Sequence, residues 1–305
     1  YFDKFVATSL SKHNPNIVIS YENANRATMK LAQDLNIVTI LDLAQIHHRD
    51  ILEYGKWFMS SEQLQEEKEV VNQYKEEALR YTDYVIALST FAADSMLRNG
   101  WPKERLFTVN LGIDPKRFTP KIQYSNQEKL RLLFVGTMTK RKGLEVIVKA
   151  IKGMPEVPVE LVLIGPMSDA ENLLKENQAL FTYLPFLSHE KLERYYRETD
   201  VFVFPSLLDS WAQTVMEAMA CGTPAIVSEN TGAKDAVSQG GGWVIPANDV
   251  EALQVKLRHL FKNRAEIESA GRQARNIAEN YTWEHYYQQI TDVLATVALR
   301  ENIPI

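Results

Sequence analysis

At 305 residues, 45% of them apolar and 24% charged, the chain has the composition of a soluble globular protein long enough for two domains. A formal net charge of −5 argues against a nucleic-acid binder working through a basic surface, and no apolar run reaches the roughly 18 residues needed to cross a bilayer. The lone cysteine, Cys221, excludes a disulfide framework and fits a small apolar core residue in a reducing compartment. The opening Tyr-Phe-Asp-Lys-Phe has no signal-peptide layout, so a cytoplasmic protein is expected, with room for a peripheral contact at the inner face of the membrane.

In chain order, short apolar runs at 17–20, 38–41, 84–88 and 106–109 predict four strands. His47 and His48 follow the second. Between the second and third strands lies a long polar helix whose Leu64, Val71, Tyr74 and Ala78 form an apolar stripe, with Glu66 to Glu69 and Lys75 to Glu77 as a solvated face. Prolines and polar residues replace periodic apolar ones at 115–128, which reads as an interdomain linker and divides the domains near residue 120.

Beyond it, strands are expected at 131–135, 159–164, 201–204, 225–228 and 243–245, with helical stretches between them. Strands this continuously apolar, alternating with helices, imply a parallel sheet covered on both faces: a doubly wound domain that binds ligands beyond the carboxyl ends of its strands. A final helix runs from Trp283 toward Arg300. No internal repeat or low-complexity tract interrupts this order.

The segment Pro205 to Pro224 carries the most chemistry. Asp209 sits in a loop after the apolar run Val201 to Phe204, and Trp211 to Ala220 read as helix, stopped by Gly222 and Pro224. A strand end feeding a helix N-terminus presents unpaired N–H groups and the positive end of a helix dipole, which suits phosphate. Glu217 lies about two turns further on, where it can accept hydrogen bonds from vicinal hydroxyls. Lys140, Arg141 and Lys142 precede Gly143 at the start of another helix and suit an anion as well.

The pattern Pro-Ser, a carboxylate, seven residues, then Glu-Ala-Met-Ala-Cys-Gly-Thr-Pro resembles the carboxylate pair of family 4 glycosyltransferases. Val135-Gly136, Lys142-Gly143, Leu163-Ile164-Gly165, Asp200-Val201-Phe202 and Gly241 to Pro246 follow in that family's order, so the resemblance covers roughly 83–285. It implies a GT-B fold: two doubly wound Rossmann-like α/β domains, 1–120 on the acceptor side and 121–282 binding the donor, with an interdomain cleft and 283–305 crossing back to the first domain. Members normally begin with a further strand and glycine-rich turn, so the first βα unit is expected to be absent here.

The resemblance also implies roles. Glu217 would hold the ribose hydroxyls of a nucleotide-sugar donor. Asp209, where the family usually has Glu, would meet the sugar near its anomeric centre. Lys142 matches the phosphate lysine, and because Thr137 follows Gly136 where an arginine is common, Lys140 or Arg141 would supply a second cation. Backbone groups of Ser210, Trp211, Ala212 and Gln213 would support the phosphates, and Gln213 and Thr214 would reach the sugar. The base would lie by Gly165, Pro166, Leu187 and Ser188, with Leu192 beneath it. His47 or His48 would orient a hydroxyl.

No HExxH, cysteine pair or Asp-x-Asp is present, so no metal and no resident cofactor is expected; the co-substrate would be a UDP- or GDP-sugar. The expected activity is retaining, metal-independent transfer of a hexose to a hydroxyl of a glycan, lipid-linked or small acceptor. The alternative is a nucleotide-sugar-binding protein without transfer. A nicotinamide-dependent oxidoreductase is disfavoured because no GxGxxG follows a strand. The sequence does not specify the oligomeric state.

Overall fold

The computed structural model describes residues 2–124 and 128–304, so Ser125, Asn126 and Gln127 of the expected linker lie outside the described residues. The chain forms two compact units, Tyr1–Asn110 with Tyr286–Ile305, and Leu111–His285.

The first unit contains α1 (Phe2–His13), β1 (Ile17–Tyr21), α2 (Arg26–Asp34), β2 (Val38–Leu43), α3 (His48–Gly55), α4 (Ser61–Glu66), α5 (Asn72–Leu79), β3 (Tyr84–Ala87), α6 (Thr90–Arg98) and β4 (Leu106–Thr108). Its strands pair in parallel in the order β1-β2-β3-β4. Local chemistry starts the helices where the sequence supplies caps. Ser60 and Gln63 form a reciprocal capping box at α4, and the Ser89 hydroxyl accepts the Ala92 N–H at α6.

One π-helical turn, Glu67–Val71, joins α4 to α5. Such a turn adds a residue per revolution and rotates the inward face of the helix. The sequence reading of Lys75 as solvated is corrected: four residues after Val71 and three before Ala78 it shares their face, and its side chain is buried, its Nζ 3.3 Å from Oε1 of the equally buried Glu22. Burial pushes the Glu22 carboxyl above its ordinary range, and the nearby ammonium opposes that shift.

The second unit contains β5 (Leu130–Val135), α7 (Leu144–Lys152), β6 (Val159–Ile164), α8 (Glu171–Lys175), β7 (Thr182–Leu184), α9 (His189–Glu198), β8 (Val201–Phe204), α10 (Gln213–Ala220), β9 (Ala225–Ser228), α11 (Lys234–Ala236), β10 (Gly242–Ile245), α12 (Val250–Lys262) and α13 (Arg264–Ala278). The sheet is parallel, in the order β10-β9-β8-β5-β6-β7. The chain runs outward from β5 to β7, then returns to the other side of β5 and runs outward again. The direction therefore reverses between β5 and β8. Strand β7 lies outside the strands expected from sequence, because three residues at the sheet edge, none of them fully buried, carry no readable period.

The boundary between the units falls after Asn110 rather than near residue 120, because the expected linker is bonded to the second unit. Ile113 N–H donates to the Tyr281 carbonyl at 2.7 Å, Lys121 N–H to that of Cys221 at 2.9 Å, and the Tyr124 hydroxyl to that of Gly222 at 2.9 Å. Cys221 is buried as expected, and burial pushes its thiol up to about 12, leaving it inert.

The last helix, α14 (Trp283–Arg300), completes the first unit's core. Its Val293 and Val297 pack with Ile40, Tyr84, Ile86 and Val109, and the Tyr84 hydroxyl donates to Glu301 at 2.6 Å. Val297→Ala, at a fully buried position, is expected to cost about 2 kcal/mol in urea unfolding. Leu299→Ala, at a side chain 78% exposed, should change stability by less than about 0.5 kcal/mol.

Candidate functional site

In a doubly wound sheet, ligands bind beyond the carboxyl ends of the strands where the winding reverses. In this unit that place is the end of β5 and β8, and the segments following those two strands are Gly136 to Gly143 and Pro205 to Ala212. Gly143 lets them meet. It sits at φ +75°, and a Cβ there would collide with the Pro205 carbonyl, so only glycine lets the two segments close.

Arg141 clamps the second segment to the first. Its carbonyl accepts the Leu207 N–H at 2.8 Å and the Ser206 hydroxyl at 3.1 Å, while its guanidinium donates to the Leu208 carbonyl at 2.7 Å. From the opposite side, Asn230 Nδ2 donates to the Leu207 carbonyl at 3.1 Å, and Asp209 N–H donates to the Asn230 carbonyl at 3.0 Å. Ser206 to Ser210 are all buried. The backbone thus fixes Asp209 before its side chain makes any contact.

The Asp209 carboxylate then takes two partners. Oδ1 accepts the Trp211 N–H at 3.1 Å, and Oδ2 pairs with Lys142 Nζ. The ammonium lies 5.0 Å from the centroid of the Phe204 ring, on a side chain only 16% exposed. Burial holds the Lys142 pKa below its ordinary value, opposed by the Asp209 charge. A carboxylate between an ammonium and the Trp211 N–H, just ahead of α10, occupies a place that would suit another anion.

Helix α10 starts from Ala212, which is in the left-handed region at φ 69°, an unfavourable conformation for a residue with a side chain. Glu217 lies on this helix, partly exposed, and its Oε2 accepts the Tyr196 hydroxyl at 2.7 Å. Sequence patterning does not single out Tyr196. Its burial is readable from its place one turn after Leu192, but its partner on another helix is not.

The other expected positions divide. Lys140 is exposed, its N–H donating to Asp169 at 2.8 Å, whereas Arg141 is committed to the loop. The Trp211 N–H belongs to Asp209, and its indole donates to Gln213 Oε1 at 3.2 Å. Gln213 Nε2 donates to the Gly112 carbonyl at 2.9 Å, so this amide is engaged at both ends within the protein. Thr214 is partly exposed and Ser210 buried. At the ends of β6 and β7, Gly165 is buried with its carbonyl accepting the Tyr183 hydroxyl, Pro166 and Phe186 are exposed, and Leu192 is buried.

His47 and His48 belong to the first unit and are buried there. His47 caps α3 through Nδ1, which accepts the Arg49 N–H at 3.2 Å, and its ring stacks on His48 with centroids 4.2 Å apart. His48 Nε2 lies 2.9 Å from Glu76 Oε2. Burial, with His48 and Arg49 nearby, lowers the His47 pKa to about 4, and burial lowers that of His48 despite Glu76. His47 is therefore neutral at pH 7. Among the described residues no group of three or more His, Cys, Asp or Glu could hold a metal, and no helix is long and apolar enough to cross a membrane.

Residues 115–281 match the family described as glycosyl transferases group 1. Among curated proteins, the chain is 27% identical over 232 residues to the amylovoran biosynthesis glycosyltransferase AmsK of Erwinia amylovora, covering 71% of this chain and 57% of that protein. It is 26% identical over 224 residues to a D-inositol 3-phosphate glycosyltransferase of Paenarthrobacter aurescens, covering 66% of this chain and 54% of that protein. The chain thus spans little more than half the length of these relatives. Among solved structures, the sucrose-phosphate synthase of Thermosynechococcus elongatus superposes with a TM-score of 0.77 at 21% identity over 98% of this chain and 78% of that one. Anabaena HepE in complex with UDP superposes with a TM-score of 0.73 at 15% identity over 96% and 81%. These two likenesses establish the fold.

Asp209→Asn is expected to bind inorganic pyrophosphate about tenfold more tightly in calorimetry, because Lys142 loses its competing charge while the main chain still holds the loop. Weaker binding would show that the carboxylate supports the anion instead of competing with it. A second outcome concerns acidity. The folded pKa of His47 lies below its ordinary 6.5, so its contribution is intact above that pH and is lost as pH falls toward 4. Urea stability should drop by up to about 3 kcal/mol over that range. His47→Asn, which can still cap α3, should make the drop smaller, leaving the part that belongs to His48.

Proposed function

The chain belongs to the glycosyl transferases group 1 family, and from that premise we propose that it transfers a hexose from a UDP- or GDP-sugar to an acceptor hydroxyl, retaining anomeric configuration without a metal ion. One observation carries the reading: at the winding reversal, a largely buried lysine and the Trp211 N–H just ahead of α10 converge on one carboxylate, where another anion could sit.

In this reading the donor diphosphate takes Lys142 and the α10 N-terminus from Asp209. The freed carboxylate turns to the sugar hydroxyls, and Glu217 meets the ribose. The bond between the anomeric carbon and the phosphate oxygen breaks with its electron pair leaving on the nucleoside diphosphate, and Lys142 stabilises that charge. The acceptor oxygen bonds to the anomeric carbon from the same face, and its proton passes to the departing phosphate oxygen. Front-face attack is the simpler route, because a covalent one would also need a nucleophile on the opposite face of the sugar. Asp209 is one methylene shorter than the family's usual glutamate, so either the sugar sits deeper or a water bridges them. The names of relatives such as AmsK favour an acceptor that is part of a growing glycan.

The test is transfer from a panel of UDP- and GDP-hexoses to glycan acceptors, with product configuration read by NMR. Lys142→Ala and Glu217→Ala should each lower kcat/KM by about a hundredfold or more. Unchanged donor affinity and turnover in both variants would overturn the assignment. Nucleotide binding without transfer to any acceptor would instead support a donor-binding protein.

A further inference from the structure

Glu217 is partly exposed on α10. A carboxylate on two methylenes that must meet two adjacent hydroxyls has to be held in one rotamer. A residue that holds it lies on a different helix. Tyr196, on α9, is fully buried, and its hydroxyl donates to Glu217 Oε2 at 2.7 Å. Its ring packs against Phe202 of β8 with centroids 5.8 Å apart, and its carbonyl accepts the Thr223 hydroxyl at 2.6 Å. Tyr196 is thus held from its main chain, its ring and its hydroxyl, so the phenol is a fixed partner for the carboxylate.

Burial and the adjacent Glu217 charge push the phenol well above its ordinary range, so it remains a donor throughout the working pH range. A neutral, permanent donor orients a carboxylate without adding a charge that would compete for the same oxygens.

We propose that Tyr196 is a positioning residue for the nucleotide ribose: it fixes Glu217 in the rotamer that presents the carboxylate to the sugar's vicinal hydroxyls. This rests on the reading of Glu217 as the ribose-binding group. The contribution of Tyr196 is then specific to ligands carrying both hydroxyls.

Calorimetry with UDP, GDP and their 2′-deoxy counterparts on wild type, Tyr196→Phe and Glu217→Gln tests this. Wild type should prefer the ribonucleotide. Tyr196→Phe should bind the ribonucleotide about tenfold more weakly and the deoxynucleotide unchanged, the loss expected for one hydrogen bond to a charged group. Glu217→Gln should lose the preference. Phe202→Leu, which loosens the ring contact but keeps the hydroxyl, should lower Tm while preserving the preference, and it provides the control for a merely structural role. If Glu217→Gln loses the preference and Tyr196→Phe keeps it, the positioning role is overturned while the ribose reading stands. If Glu217→Gln keeps the preference, or wild type has none, the ribose reading itself falls and the proposal with it.

Discussion

The ion pair between Lys142 and Asp209 is the contact that the loops around it in the second unit are arranged to present. Each partner comes from a segment after a different strand, on either side of the point where the winding reverses. Gly143 lets those segments close, and Arg141 and Asn230 hold the second of them from opposite sides. A paired ammonium and carboxylate this far from solvent cost desolvation that their attraction only partly returns. The arrangement makes chemical sense if a stronger anion replaces the carboxylate during function, because the ammonium is then already desolvated and aimed.

The site also shows a division of labour among neighbouring basic residues. Lys140, Arg141 and Lys142 are consecutive in sequence yet do three things: one stays at the surface, one fastens the β8 loop through three partners, and one holds the carboxylate. Arginine suits the clamp, since its planar fork can bond a carbonyl while its own main chain bonds the same loop. Lysine suits the anion site as a compact point charge.

Much of this is legible in the sequence. Continuously apolar strands alternating with helices point to a parallel α/β fold. Gly143, Asp209 and Glu217 stand out because a glycine closing a basic triplet, or a charge amid apolar neighbours, is seldom found without a structural or chemical role. What escapes the sequence is pairing across elements. Lys75 sits in a run of charges and reads as solvated, but it lies on the same face as Val71 and Ala78 and pairs with a buried Glu22. Gln213 is expected to reach a sugar, yet its amide bridges Trp211 and Gly112. His47 and His48 follow a strand end as a cleft histidine would, and instead cap a helix and pair with Glu76 inside the first unit. In each case the residue's own element is correctly placed. What periodicity does not encode is the partner, which lies distant in sequence.

The most direct test of the exchange at Lys142 is a crystal structure with a nucleoside diphosphate bound. The ammonium should lie within about 3 Å of a phosphate oxygen, with the Asp209 carboxylate turned away from it. A bound diphosphate that leaves the Lys142–Asp209 pair intact would contradict the exchange and move the phosphate site elsewhere.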